Sequence, residues 1–259
     1  MLVSATGGGY SHWQNLALTR WRSDATCDDL GSFCYLRDVA NGNVWSTTYQ
    51  PTRRGIDDPV PVLNDGRAVF HRRDRGIDSC TEIAVAPEHD VEVRRIVVTN
   101  ASAERRTLDL TSYAEIVLAP PATDAAHPAF AKLFVETEIV RDYRAILCKR
   151  RPRADGEVTP WLFHLLSTRS DDTNVSYETD RMSFIGRGRT LANPQVLDAG
   201  TSLSGRAGPV LDPVVAIRCR VSLAPGATAT IDLMTGVAET REACLALAAQ
   251  CREEPFVDQ

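Results

Sequence analysis

The sequence has no long apolar run and no surplus of basic residues. No stretch approaches the roughly 18 to 20 apolar residues that a membrane-spanning helix needs, and residues 1–10 lack the basic region and apolar core of an export signal. Its 29 basic side chains are outnumbered by 34 acidic ones, which disfavours binding to a phosphate backbone. These absences predict a cytoplasmic protein without a nucleic-acid partner.

Metal and nucleophile motifs are also missing. The seven cysteines form an odd set without a CxxC pair, and no histidine lies at the spacing of a metal ligand. We therefore expect reduced thiols, with Cys27 and Cys34 as the one close pair of interest. None of the five histidines lies near a nucleophile-elbow sequence such as GxSxG. The sequence predicts no metal, no cofactor and no hydrolase triad.

What the sequence does contain is a series of β-strands. Its 259 residues suffice for one large domain, and from residue 30 to about 235 short β-branched and aromatic runs are separated by turn residues. The predicted strands are 81–86, 91–100, 107–118, 133–140, 144–151, 161–168, 214–223 and 228–238. Because crossover helices are missing, these strands predict two packed antiparallel sheets, larger than an immunoglobulin sandwich.

Turn residues and apolar periodicity indicate how the strands are connected. The joint 99–106 and the turn at Pro225 and Gly226 are interpreted as hairpin connections. Three prolines within 117–130 predict a long loop. Only 238–254 has an apolar helical face, for which Thr240 is the predicted N-cap.

Aromatic residues are concentrated in the first fifty positions. Trp13, Trp21 and Trp45, three of the four tryptophans, are interleaved there with arginines and aspartates. This combination suits a sugar, because a pyranose offers an apolar C–H face for stacking and hydroxyls for polar contacts. The same residues also fit tryptophans in a sandwich core and charges on solvated strand faces, which composition alone favours. The residues alone leave both interpretations open.

Other candidate chemistry is weaker. The run 7–9 is not followed by the residues of a phosphate-binding loop, and the Gly/Arg segment 186–194 favours a surface turn over an anion site, because no helix N-terminus follows. The carboxylates with the chemistry of glycoside cleavage are Glu115, Asp124, Glu136 and Glu138. Nothing in the sequence pairs any two of them.

Longer motifs carry a family resemblance. They span 7–13, 16–51, 111–139, 147–153, 176–194, 209–218 and 235–243. Together they resemble the glycosyltransferase 36 domain, which is the N-terminal sandwich of the cellobiose phosphorylase family, glycoside hydrolase family 94. The likeness is strongest for the corresponding segment of cyclic β-1,2-glucan synthases.

The resemblance implies a mainly β fold, an antiparallel β-supersandwich that is galactose mutarotase-like, over residues 1–237. Residues 238–259 would begin a helical linker toward an (α/α)6 barrel that this chain does not contain. In the family that barrel supplies the catalytic acid, so we expect no catalytic residue and no activity in the isolated chain. The implied partners are a β-glucan oligosaccharide, the barrel and a second subunit of a homodimer, and the location is cytoplasmic or the cytoplasmic part of a larger membrane-associated synthase.

The resemblance also selects site residues and a role. The positions that match the densest motif, and are expected near sugar, are Tyr10, Trp21, Arg37, Asp38, Trp45 and Gln50. We expect a non-catalytic module that contributes sugar contacts, domain packing and dimerisation, with an apolar patch or self-association on the face that meets the barrel. The alternatives are an independent sugar-active enzyme of the aldose epimerase type, which needs a histidine and carboxylate cluster, and a purely structural interaction module.

Overall fold

The structure is a computed structural model that describes residues 1–24, 26–54, 60–152, 157, 159–168 and 174–253. Its strands, in chain order, are β1 (Leu2–Val3), β2 (Gly9–Tyr10), β3 (His12–Trp13), β4 (Leu16–Thr19), β5 (Phe33–Asp38), β6 (Val44–Ser46), β7 (Val62–Asn64), β8 (Arg67–Asp74), β9 (Ile77–Val85), β10 (Val91–Asn100), β11 (Arg106–Ala119), β12 (Val135–Val140), β13 (Ala145–Arg150), β14 (Trp161–Thr168), β15 (Ser176–Asp180), β16 (Gly208–Pro209), β17 (Pro213–Leu223) and β18 (Thr228–Ala238). The α-helices are α1 (Pro121–Ala126), α2 (Pro128–Lys132), α3 (Arg181–Ile185) and α4 (Arg241–Glu253).

Two large antiparallel sheets form the body of the protein. Within the described residues, the larger sheet has nine strands in the order β16-β12-β13-β14-β18-β10-β9-β8-β7. The smaller sheet has seven strands there. β15-β17-β11-β4-β3 are consecutive, and β5, which pairs with β6, also pairs with β11. The strand pairs in the described part of the chain are antiparallel, which confirms the mainly β, antiparallel sandwich.

The main core lies between the two sheets. Because side chains alternate across a strand, a strand inside a sheet presents every second residue to this core. In β17, Val215, Ile217 and Cys219 join the inter-sheet cluster, which receives Ile96 and Val98 from β10 of the opposite sheet. Pairing of the two apolar faces is therefore what holds the sandwich closed.

The two predicted hairpins are wrong, because both connections cross between sheets. β10 pairs with β9 and β18 in the larger sheet, whereas β11 pairs with β17, β5 and β4 in the smaller one. The buried Asn100 amide joins the two crossings by donating hydrogen bonds to the carbonyls of Glu104, Leu223 and Ala224 at 2.7, 3.0 and 3.2 Å. The segment 99–106 and the turn at Pro225 and Gly226 do reverse the chain, but each leads to a strand of the opposite sheet rather than to a neighbouring strand of the same sheet.

The helices flank the sheets. The predicted C-terminal helix is present as α4, where Thr240 Oγ1 accepts a hydrogen bond from the backbone N–H of Ala243 at 3.1 Å, as expected of an N-cap. Cys244, Ala248 and Cys251 of α4 pack on the outer face of the larger sheet. The prediction of a loop throughout 117–130 is wrong, because α1 and α2 occupy much of that segment, each with proline at its start. The predicted linker beyond residue 253 lies outside the described residues.

A polar cluster occupies one end of the inter-sheet space. Glu92 and Arg94 share a face of β10 with Ile96 and Val98, and they form a buried ion pair at 2.6 Å. Arg94 also donates to the carbonyl of Ser32 at 2.6 Å. Charged residues of β10 therefore point into the sandwich. Their burial is tolerated because each charge is paired and hydrogen-bonded there. No helix in the described part of the chain is both long enough and apolar enough to cross a bilayer.

Candidate functional site

Tyr10 and Trp21 form a stacked aromatic pair in the N-terminal region. Their rings are stacked, with centroids 5.9 Å apart and planes inclined by 5°. Both side chains are half-buried, so they remain partly accessible to solvent. This arrangement has the flat, partly apolar surface on which a sugar ring can stack.

Asp28 holds Trp21 in place. Its Oδ1 accepts a hydrogen bond from the indole Nε1–H at 2.7 Å, and its Oδ2 accepts from the hydroxyls of Thr6, at 2.5 Å, and Ser4. Burial alone would raise the pKa of Asp28, but these three hydrogen bonds hold it below its usual value. A Cβ on Gly8 would lie 2.5 Å from Asp28 Oδ1, so packing of this loop explains a glycine there.

A small cleft lies beside the stacked rings. It has a volume of about 230 Å³ and is bounded by β4, the start of α1 and the segment 20–23. Its lining includes Tyr10, Thr19, Arg20, Trp21, Arg22 and Asp124. We refer to this surface as the Trp21 cleft.

Arg20 forms the charged wall of the Trp21 cleft. Its guanidinium is buried and donates to both carboxylate oxygens of Asp124, at 2.9 and 2.5 Å. The same group donates to Glu115 Oε2 at 2.6 Å. The buried Arg20, which follows β4, thereby links Asp124 of α1 to Glu115 of β11, and its charge offsets part of the cost of burying both carboxylates. Glu115 and Asp124, which nothing in the sequence pairs, are thus joined through Arg20.

The ion pairs continue beyond Arg20. Glu115 Oε1 accepts from Arg181 at 2.7 Å, Arg181 lies 3.8 Å from Asp212, and Asp212 pairs with Lys132 at 2.7 Å. Burial opposes charge on Glu115, yet Arg181 and Arg20 keep its pKa below the usual value. For Asp212 the effect of burial dominates and raises its pKa despite Lys132. We call this series, from Asp124 to Lys132, the buried ion network.

The other four predicted sugar contacts lie elsewhere and are buried. Trp45 is only 1% exposed and belongs to the inter-sheet core. Arg37 pairs with Asp109 at 3.3 Å, and Asp38 pairs with Arg106 while its Oδ1 accepts from the N–H of Ala40 at 2.8 Å. The side-chain oxygen of the buried Gln50 has no hydrogen-bond partner among the residues that the structure describes. The structure thus brings Tyr10 and Trp21 together and places Arg37, Asp38, Trp45 and Gln50 outside their cleft.

His164 is the most informative histidine. It lies between the sheets, 2.9 Å from Ser112 Oγ through Nε2 and 2.9 Å from Thr235 Oγ1 through Nδ1. Burial and the nearby charge of Arg94 lower the pKa of His164 to about 4. Its hydrogen-bond partners are hydroxyls rather than the carboxylate that an epimerase-type site requires. All seven cysteines are free, and no three His, Cys, Asp or Glu side chains in the described ranges are arranged to hold a metal ion.

The architecture is that of a large antiparallel β-supersandwich flanked by short helices and one C-terminal helix. The family model "Glycosyl hydrolase 94, supersandwich domain" matches residues 1–254. The chain therefore belongs to the supersandwich domains of glycosyl hydrolase family 94, which confirms the resemblance seen in the sequence.

Curated relatives are much longer than this chain. Cyclic β-(1,2)-glucan synthase NdvB of Rhizobium meliloti is 37% identical over 243 residues, which are 93% of this chain and 9% of that protein. N,N′-diacetylchitobiose phosphorylase of Vibrio proteolyticus is 26% identical over 204 residues, 77% of this chain and 25% of that one. A solved polysaccharide lyase aligns with a TM-score of 0.48 at 14% identity, over 86% of this chain and 28% of the lyase.

Proposed function

We propose that this chain is the non-catalytic supersandwich module of an enzyme that processes β-glucans, with β-1,2-glucan as the favoured substrate class. The 37% identity to a cyclic β-(1,2)-glucan synthase supports that class. In this proposal the module contributes sugar contacts, packs against the rest of a longer polypeptide, and takes part in dimerisation.

The observation that carries the proposal is the stacked Tyr10–Trp21 pair beside the Trp21 cleft. An aromatic face next to fixed polar groups is the combination that recognises a pyranose ring. The cleft, at about 230 Å³, is smaller than the roughly 300–1,000 Å³ of pockets that enclose drug-sized ligands. We therefore expect it to contact one or two rings of a longer glucan rather than to enclose a whole ligand.

Titration with linear β-1,2-gluco-oligosaccharides tests this role. We expect saturable binding with a Kd on the order of 1 mM, followed by tryptophan fluorescence or NMR shifts. Trp21→Ala should abolish the binding, whereas Trp161→Ala should leave it intact, because Trp161 lies on β14 and contacts Lys149 instead. Absence of binding by the unaltered chain would favour the purely structural module, for which the buried Trp45 is the supporting observation.

An assay for phosphate-dependent release of glucose 1-phosphate addresses the non-catalytic part of the proposal. We expect no release from β-1,2-gluco-oligosaccharides, because the four candidate carboxylates are held in ion pairs. Glu115 and Asp124 pair with Arg20, Glu136 pairs with Lys149 at 3.6 Å, and Glu138 pairs with Arg241. Sustained product formation by the 259-residue chain would contradict a non-catalytic role.

A further inference from the structure

A second and larger concave surface lies on another part of the molecule. It is a groove of about 1,090 Å³ bounded by α2, by α3 with the turn that follows it, and by the segment 206–212. Its apolar part includes Leu133, Met182 and Leu211, whose exposed fractions are 41%, 64% and 79%. We call it the Met182 groove.

Local structure explains why Met182 faces outward. Asp180 caps α3 by accepting a hydrogen bond from the backbone N–H of Met182 at 3.1 Å. Phe184 and Ile185 of the same short helix are buried against the smaller sheet. Met182 is consequently held on the opposite side, where an apolar side chain gains nothing from water.

The charged lining of the Met182 groove has a small excess of positive charge. This lining comprises five cations, Lys132, Arg181, Arg187, Arg189 and Arg206, and two acids, Asp180 and Asp212. Two further acids outside the lining form ion pairs with it: Glu115 with Arg181 and Asp198 with Arg189. Five cations against these four acids still leave one positive charge, on a chain whose net charge is −5.

The turn after α3 carries Arg187, the lining cation without an ion pair among the described residues. Gly186 and Gly188, which flank Arg187, have φ of +85° and +74°, a conformation that glycine adopts readily because it has no Cβ. Arg187 is exposed, and it makes no ion pair within the part of the chain that the structure describes. The Gly/Arg segment is thus a surface turn, as the sequence indicated, but one that lines a groove.

We propose that the Met182 groove docks an acidic segment with an apolar face, which belongs to the same polypeptide outside these 259 residues. This inference rests on the proposed role as a module of a longer enzyme. The exposed Leu133, Met182 and Leu211 disfavour a free anion, which has no apolar surface to cover them, and a glucan, because aliphatic side chains lack the flat aromatic face on which a pyranose stacks. The net positive charge of the groove lining, exposed at Arg187, favours an acidic partner.

The lengths of the relatives indicate where the partner comes from. The chain covers 9% of the glucan synthase and 25% of the chitobiose phosphorylase, so most of each of those proteins lies outside the matched region. A segment tethered to the module is present at a high effective concentration, and even a modest contact surface can then remain occupied.

Hydrogen exchange tests the docking. The exchange rates of the backbone amides of 181–189 and 206–212 are measured in the 259-residue chain and in the longest polypeptide that its gene encodes. We expect exchange there to slow by about tenfold or more in the longer polypeptide. Leu211→Glu should remove this protection, while Val62→Glu, a matched change of a half-exposed apolar residue on β7, should leave it unchanged.

The outcomes separate this inference from the proposed function. Equal exchange in both polypeptides, or a gene that encodes nothing beyond this chain, would overturn the docking of a tethered segment. Protection that depends on the concentration of the 259-residue chain would assign the groove to a second copy and overturn it as well. Failed glucan titration with intact groove protection would refute the sugar contacts alone.

Discussion

The Trp21 cleft and the Met182 groove lie at opposite ends of the buried ion network but differ in chemistry. At the cleft, Arg20 is saturated by Asp124 and Glu115, and the accessible surface is aromatic. At the groove, the cations exceed the acids and the accessible surface is aliphatic. Flat aromatic rings suit a sugar, whereas flexible aliphatic groups beside the exposed Arg187 suit an acidic protein segment. One network thus positions two surfaces with different expected partners.

The largest expected effect comes from breaking the network that the two surfaces share. Arg20→Met leaves Asp124 and Glu115 buried beside each other without their common cation. We expect the free energy of unfolding to fall by about 3–5 kcal/mol, measured by urea denaturation. The matched change Arg73→Met removes an exposed ion pair with Asp78 and should cost at most about 1 kcal/mol. Equal losses in the two variants would show that Arg20 does not hold the two surfaces together.

The two tryptophans of the N-terminal motif provide the next comparison. Trp45→Ala should lower the free energy of unfolding by about 3–5 kcal/mol, because it empties a site in the inter-sheet core. Trp21→Ala should lower it less, since that ring is half-buried, while abolishing glucan binding. If Trp45→Phe reduced glucan binding without affecting stability, Trp45 would belong to the sugar site after all.

Acid should weaken the sandwich through His164. Its pKa is about 4 in the folded protein and about 6.5 when unfolded, so between these values the unfolded chain binds the proton and the folded chain does not. Stability therefore falls as the pH decreases from 6.5 to 4, by about 3 kcal/mol at most from this residue. Denaturation at pH 7 and pH 4 should show a smaller loss for His164→Gln than for the unaltered chain. An equal loss would assign the acid sensitivity to other groups.

The smallest effect is expected at the rim of the groove. Arg187→Ala should change the free energy of unfolding of the 259-residue chain by no more than about 0.5 kcal/mol, since the side chain is exposed. The comparison with Arg20→Met is the informative one, because both remove a cation next to a proposed binding surface. A large destabilisation by Arg187→Ala would indicate a structural role for the groove cations in the isolated chain.

Much of the strand pattern could be predicted because it is local. Alternating side chains and turn residues within about ten positions suffice to locate β10, β14, β17 and β18 almost to the residue. The same local signal could not show that 99–106 passes between sheets, since a tight turn and a sheet crossing use similar residues. The prolines in 117–130 indicated that β11 ends there. They did not show that α1 and α2 follow, because proline is found both in loops and at the first position of a helix.

Prediction of the site was limited by distance along the chain. Arg20 and Asp124 are 104 positions apart, and no periodicity links them. Trp21 and Trp45 occupy similar sequence surroundings, yet one lies at the cleft and the other in the core. Nothing in those fifty residues distinguishes an exposed aromatic from a buried one, because burial depends on strands contributed from far away.

By itself the sequence determined the fold class, the family and the absence of membrane-spanning runs, since all three are properties of composition and local pattern. The tertiary structure decided which aromatic rings remain accessible, which carboxylates Arg20 joins, and where the cations exceed the acids. Each of these depends on distances of a few ångströms between residues far apart in the chain, and such distances arise only when the two sheets close on each other.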